Sequence, residues 1–183
     1  MKKIVILFCC ITQTLLLTAQ SNIPTAQSII DNACKEAGEQ NKKAFIIFHA
    51  SWCGWCHKMD SSMNDASCKN YFQKNFIITH ITVYEAGEKQ KLNNAGAEVI
   101  LKKYHADKQG IPAWFILNKS GELLADSQMR QEGKFVDSEG INVGCPANKP
   151  EVEHFIKVLK QTTSLSATDE NAIRVRFLKN ESN

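Results

Sequence analysis

Residues 51–59 read SWCGWCHKM: two thiols, Cys53 and Cys56, stand two residues apart, with Trp52 and Trp55 beside them and His57 directly behind. Three chemistries are open to such a set: thiol–disulfide exchange, metal ligation through Cys53, Cys56 and His57, or burial of sulfur as a small hydrophobe. They differ in what must position the cysteines. At the first turn of a helix, unpaired backbone N–H groups and the positive end of the dipole stabilise a thiolate. The two-residue spacing then sets the second sulfur one turn along, within reach of a disulfide. In an exchange cycle Cys53 attacks and Cys56 resolves the mixed disulfide. Structural zinc wants four ligands, usually as two separated pairs. The chain has no second CxxC and no HxxxH, and Cys68 and Cys145 are isolated, so no metal site is expected.

The elements around the motif supply the required frame. AFIIFHA (44–50) is a short Phe- and Ile-rich run with the length of a buried central strand. From Cys56 the apolar positions turn helical through Met59 and Met63, break at Asn64-Asp65 and resume at Tyr71 and Phe72. One kinked helix or two consecutive helices fit. Upstream, 28–44 reads as an amphipathic helix ending near Gly38, with Cys34 on its apolar side. Downstream, 76–84 is a second buried strand, 85–96 is polar and turn-rich, and 97–106 is a short helix. GIPAWFILNKSGELLADS (110–127) reads as a β-hairpin. A Gly-, Asn- and Pro-rich loop (130–150) precedes a helix over 151–161, and the residues from Ser164 carry few apolar side chains, the pattern of a weakly docked extension. Alternation of helix and strand predicts an α/β fold, a mixed sheet with helices on both faces.

The 183-residue chain has the length of one domain with some elaboration. Lys2 and Lys3 precede the apolar run IVILFCCITQTLLLTA (4–19), the pattern of a secretory signal peptide cut after Ala19. The run is too short and too polar at Thr12, Gln13 and Thr14 for a membrane span. The expected division is therefore a signal peptide (1–19), a domain (20–163) and a C-terminal extension (164–183). Removing 1–19 leaves 20 basic residues against 19 acidic ones, a near-neutral protein without the basic excess that nucleic acid binding needs. It also leaves five cysteines in an exported compartment where disulfides persist. Five is odd, so at least one thiol is free, paired to another molecule or turned over. Cys34 reads as a buried thiol. Cys68 reads as another, or as a partner for Cys34, and Cys145, between Gly144 and Pro146, as the exposed thiol, able to exchange with the active pair.

The strand FIIFHA, then SWCGWCHKM, then GIPAWFILNKSGE, in this order and spacing, resembles the thioredoxin family over roughly residues 28–128. The resemblance implies a thioredoxin fold with a C-terminal loop-helix extension. It also implies a cis Pro112 lying against the CxxC and an Ile111 backbone that pairs with an extended substrate. Trp52 matches the tryptophan that shields the site, and Trp55 occupies the dipeptide that tunes potential. More narrowly, WCxWCHKM with the late NVGCPANKP stretch is similar to exported disulfide reductases and isomerases. One departure stands out: the buried acid six residues before the first cysteine is here Ile47, so proton transfer must use water or another group, with His57 and His49 the candidates.

The resemblance implies a periplasmic or secreted thiol-disulfide oxidoreductase acting on disulfide-containing proteins, with an upstream dithiol reductant or an oxidant as redox partner. It needs no bound cofactor and no stable membrane insertion after cleavage. Reductase, isomerase and oxidase share these residues. A rival from another class is a non-catalytic thioredoxin-fold binding module with a structural CxxC disulfide.

Overall fold

The computed structural model describes residues 23–136 and 138–181; the expected signal segment, with Cys9 and Cys10, lies outside them. Its core is a four-stranded sheet ordered β2-β1-β3-β4. The strands are β1 (Lys43–His49), β2 (Phe76–Thr82), β3 (Ala113–Leu117) and β4 (Leu123–Asp126). β1 pairs parallel with β2 and antiparallel with β3, and β3 with β4 antiparallel, so the sheet is mixed as expected.

The continuous apolar run of β1 follows from its central place: residues 44–48 are fully buried because both faces are covered. Phe45 and Ile47 face one core layer, under α2 (Gly54–Met63), α3 (Lys69–Asn75), α5 (Lys149–Thr162) and α6 (Ala167–Leu178). Ala44, Ile46 and Phe48 face the other, under α1 (Ala26–Glu39) and α4 (Ala97–Lys103). The Asn64-Asp65 break separates α2 from α3. Capping side chains fix several helix starts: Thr25 accepts from Ser28 N–H, and Asn148 and Glu151 form a reciprocal capping box. The polar stretch before α4 contains a 3-10 helix, Gly87–Leu92.

The long loop carries a two-residue strand, β6 (Ile141–Asn142), which pairs with β5 (Gln128–Met129) and so folds back on the domain. One expectation about the C-terminal part needs correction. The segment from Ser164 is not weakly docked. Ile173 and Phe177 of α6 are fully buried, and the Phe177 ring lies 5.0 Å from Phe155 and 6.3 Å from Phe72, centroid to centroid. Two residues four apart share one helix face, so a short stripe anchors a helix whose overall composition is polar. Arg174 adds ion pairs to Glu153 and Glu170. Among the described residues, no helix is long and apolar enough to cross a membrane.

Candidate functional site

β1 ends at His49, and residues 50–52 turn the chain into α2, with Cys53 N–H donating to the Ala50 carbonyl at 3.1 Å. Cys53 caps the helix: its Sγ accepts the Cys56 N–H at 3.1 Å. Placement at the helix start is thus realised by a specific donor, one that strengthens when the sulfur carries charge. Cys53 and Cys56 are joined in a disulfide, S–S 2.05 Å. Both are buried, 4% and 1% exposed, against Ala50 and the side chain of Ile111.

The Ile111-Pro112 peptide is cis, as the resemblance implied. The Ile111 carbonyl oxygen lies 3.5 Å from Cys53 Sγ, an acceptor for the thiol proton when the pair is reduced. The chain therefore brings together Cys53, Cys56, Ile111 and Pro112 from two segments about half a domain apart. Trp52 and Trp55 are 61% and 47% exposed. Trp52 is held by its indole N–H on the Tyr84 carbonyl at 3.0 Å, while the Lys58 ammonium sits 4.3 Å over the Trp55 ring. Both rings present apolar surface to solvent beside the cysteines.

The histidines lie differently. His57 Nε2 is 3.0 Å from the Ser51 carbonyl, which makes Nε2 the protonated nitrogen. His49 shares the β1 face of Phe45 and Ile47, its ring 4.8 Å from that of His80 and its Nε2 3.4 Å from the Thr82 hydroxyl. His80 in turn donates to Asp60 of α2 at 2.8 Å. Burial first, then His80, pushes the His49 pKa below its ordinary value. Neither His49 nor His57 hydrogen-bonds either cysteine among the described residues. Ile47 is fully buried.

Among the described residues the remaining cysteines, Cys34, Cys68 and Cys145, are free thiols, all buried. Cys145 is only 4% exposed, which corrects the expectation of an exposed thiol: Asn180 donates to its sulfur at 3.4 Å, and desolvation pushes its pKa up to about 12. Cys34 and Cys68 do not pair, because they belong to core layers on opposite sides of the sheet.

Two further residues shape the site without a signal in the sequence. Glu85, 5% exposed, accepts from both the N–H and the hydroxyl of Ser51, and the backbone hydrogen bond holds its carboxyl below the usual range. Lys89 reaches the same hydroxyl at 2.9 Å. Asn142, in the Gly- and Asn-rich loop, bonds the backbone around the cis-proline. A lone carboxylate in a polar stretch and a lone amide in a loop have no periodicity to mark them.

A mixed sheet with helices on both faces, a CxxC disulfide at the start of the first central helix and a cis-proline against it define a thioredoxin-like α/β protein. The chain belongs to the family described as a thioredoxin-like domain, whose model matches residues 30–132. No curated protein sequence matches it. Among solved structures, the chain is similar to a disulphide isomerase from Xylella fastidiosa Temecula1, at 16% identity over 91% of this chain and 97% of that one, TM-score 0.47. It is also similar to the C-terminal domain of Neisseria meningitidis DsbD in the oxidised form, at 18% identity over 75% and 92%, TM-score 0.41.

Proposed function

We propose that this protein is a thiol-disulfide oxidoreductase that reduces or isomerises disulfides of other proteins in an exported compartment. The observation that carries the reading is the Cys53 sulfur, capped by the Cys56 N–H at the start of α2 and flanked by the Ile111 carbonyl. The Cys53–Cys56 disulfide is then the oxidised form of the couple.

In the reduced form the Cys53 thiolate attacks one sulfur of a substrate disulfide. A bond forms between Cys53 Sγ and that sulfur, the substrate S–S bond breaks, and the departing thiolate takes up a proton. Cys56 then gives up its proton and attacks Cys53 Sγ, closing the Cys53–Cys56 disulfide and releasing the second substrate sulfur as a thiolate. Two electrons pass to the substrate, and an upstream dithiol protein returns them. With Ile47 in place of an acid, the Cys56 proton leaves through water or an imidazole. His49, on the Ile47 face of β1, is the better placed of the two histidines, since His57 is turned back to Ser51. Trp52, Trp55, Ile111 and Pro112 form the surface on which the substrate lies.

The test is insulin reduction driven by dithiothreitol, comparing wild type with Cys53→Ser. Turnover by wild type that is lost in the variant supports the reading. Equal, negligible turnover in both overturns it in favour of a binding module with a structural disulfide.

A further inference from the structure

Beside the disulfide lies a cleft of about 380 Å³, bounded on one side by Trp55, Ile111 and Pro112. Its opposite wall is the strap of residues 142–147, which lies beyond the span matched by the family model. The strap is tied to the cis-proline loop through Asn142. Asn142 Nδ2 lies 3.2 Å from each of the carbonyl oxygens of Gln109, Gly110 and Pro112, and its backbone N–H donates to Gln109 Oε1 at 2.7 Å. Asn142 Oδ1 accepts the Gly144 N–H at 3.2 Å, setting the turn that lays Gly144 beside Pro112. Gly144 has φ +64°, which favours glycine, and its carbonyl accepts the buried Trp114 indole N–H at 2.8 Å. One amide therefore bridges both walls, with the Gln109 side chain and the Trp114 indole as further ties.

The cleft has a distinct chemistry. Trp55, Ile111, Pro112 and Val143 supply apolar surface, while the charged residues that line it, Glu151 and Glu181, are both acids. Glu151 is held by its capping role, Oε2 accepting from Ala147 N–H at 3.0 Å. Glu181 is exposed. An apolar slot with acidic charge complements a side chain that has an aliphatic stem and a cationic end.

We propose that this cleft is a side-chain subsite for a lysine or arginine beside the attacked cysteine of the substrate, and that Asn142 is the residue that positions it. The inference rests on the oxidoreductase reading and deepens it: the strap selects among protein disulfides that the cysteine pair alone treats alike.

The test uses disulfide-linked peptides identical except for Lys, Leu or Glu beside the attacked cysteine, with oxidised glutathione as a disulfide that carries no lysine or arginine. Wild type should favour Lys over Glu in kcat/KM by about fivefold, the upper end for exposed charge pairs. Asn142→Ala should raise KM for the Lys peptide about fivefold, with a smaller change in kcat and a smaller loss toward oxidised glutathione. Glu181→Gln, an exposed substitution that spares the core, should narrow the Lys-to-Glu ratio. Equal kcat/KM for the three peptides in wild type overturns the subsite. An Asn142→Ala protein with wild-type KM and preference overturns the positioning role. A wild type active on oxidised glutathione but indifferent to the peptide residue leaves the oxidoreductase reading standing and this inference refuted; inactivity toward every disulfide refutes both.

Discussion

The Sγ of Cys53 lies 3.5 Å from the carbonyl oxygen of Ile111, across the gap between the start of α2 and the cis-proline loop. This contact supports the unequal roles proposed for the two cysteines. Cys53 faces the loop that forms one wall of the cleft, whereas Cys56 is 1% exposed, nearer the interior. Cys56→Ala should therefore accumulate mixed disulfides with proteins through Cys53, because no second sulfur resolves them. Cys53→Ala should accumulate far fewer. Non-reducing gels followed by mass spectrometry read the difference, and equal trapping by both variants would contradict the assignment.

The helix α6 makes a second prediction, about stability. Phe177 is fully buried against Phe72 and Phe155, so Phe177→Ala should cost roughly 3–5 kcal/mol, the usual range for deleting a buried aromatic ring. Urea denaturation measures it. A change below about 1 kcal/mol, the scale of surface substitutions, would return this segment to the weakly docked extension that its composition implied.

That contrast marks what the sequence makes legible. β1 could be read because both its faces are apolar, and the redox motif because Cys53, Cys56, Ile111 and Pro112 are recognisable types at characteristic distances along the chain. α6 was hidden because two buried side chains suffice to dock it, too few to register as periodicity. Cys145 was misread because its Gly and Pro neighbours imply an exposed turn, while the structure lays that turn beneath Asn180. Asn142 and Glu85 act through long-range hydrogen bonds, and nothing local in the sequence records a partner 33 or 34 residues away.

Cys145 should be chemically silent in the native protein. With its pKa pushed up to about 12 and only 4% of its surface exposed, Cys145 offers almost no thiolate at pH 8 for an alkylating reagent to meet. Iodoacetamide applied to the oxidised protein should label Cys145 only after denaturation. Rapid labelling in the native state, located by peptide mapping, would contradict its burial and restore it as a candidate exchange partner for Cys53 and Cys56.

The histidine cluster under α2 gives a pH dependence with a definite sign. Burial and His80 lower the His49 pKa from its ordinary 6.5, and His57 acts in the same direction, while Asp60 and Glu85 oppose the shift. The unfolded chain then binds the His49 proton more readily than the folded one. Stability contributed by neutral His49 is fully present above pH 6.5 and is lost as pH falls from there through the folded pKa. His49→Gln removes the titrating group while keeping a polar side chain beside Thr82. Urea midpoints measured between about pH 5 and 8, the range where histidines titrate, should fall less steeply toward acid in the variant than in wild type. His154, whose pKa burial also lowers, keeps part of the slope in both proteins. Identical slopes would mean that His49 titrates alike in the folded and unfolded chains.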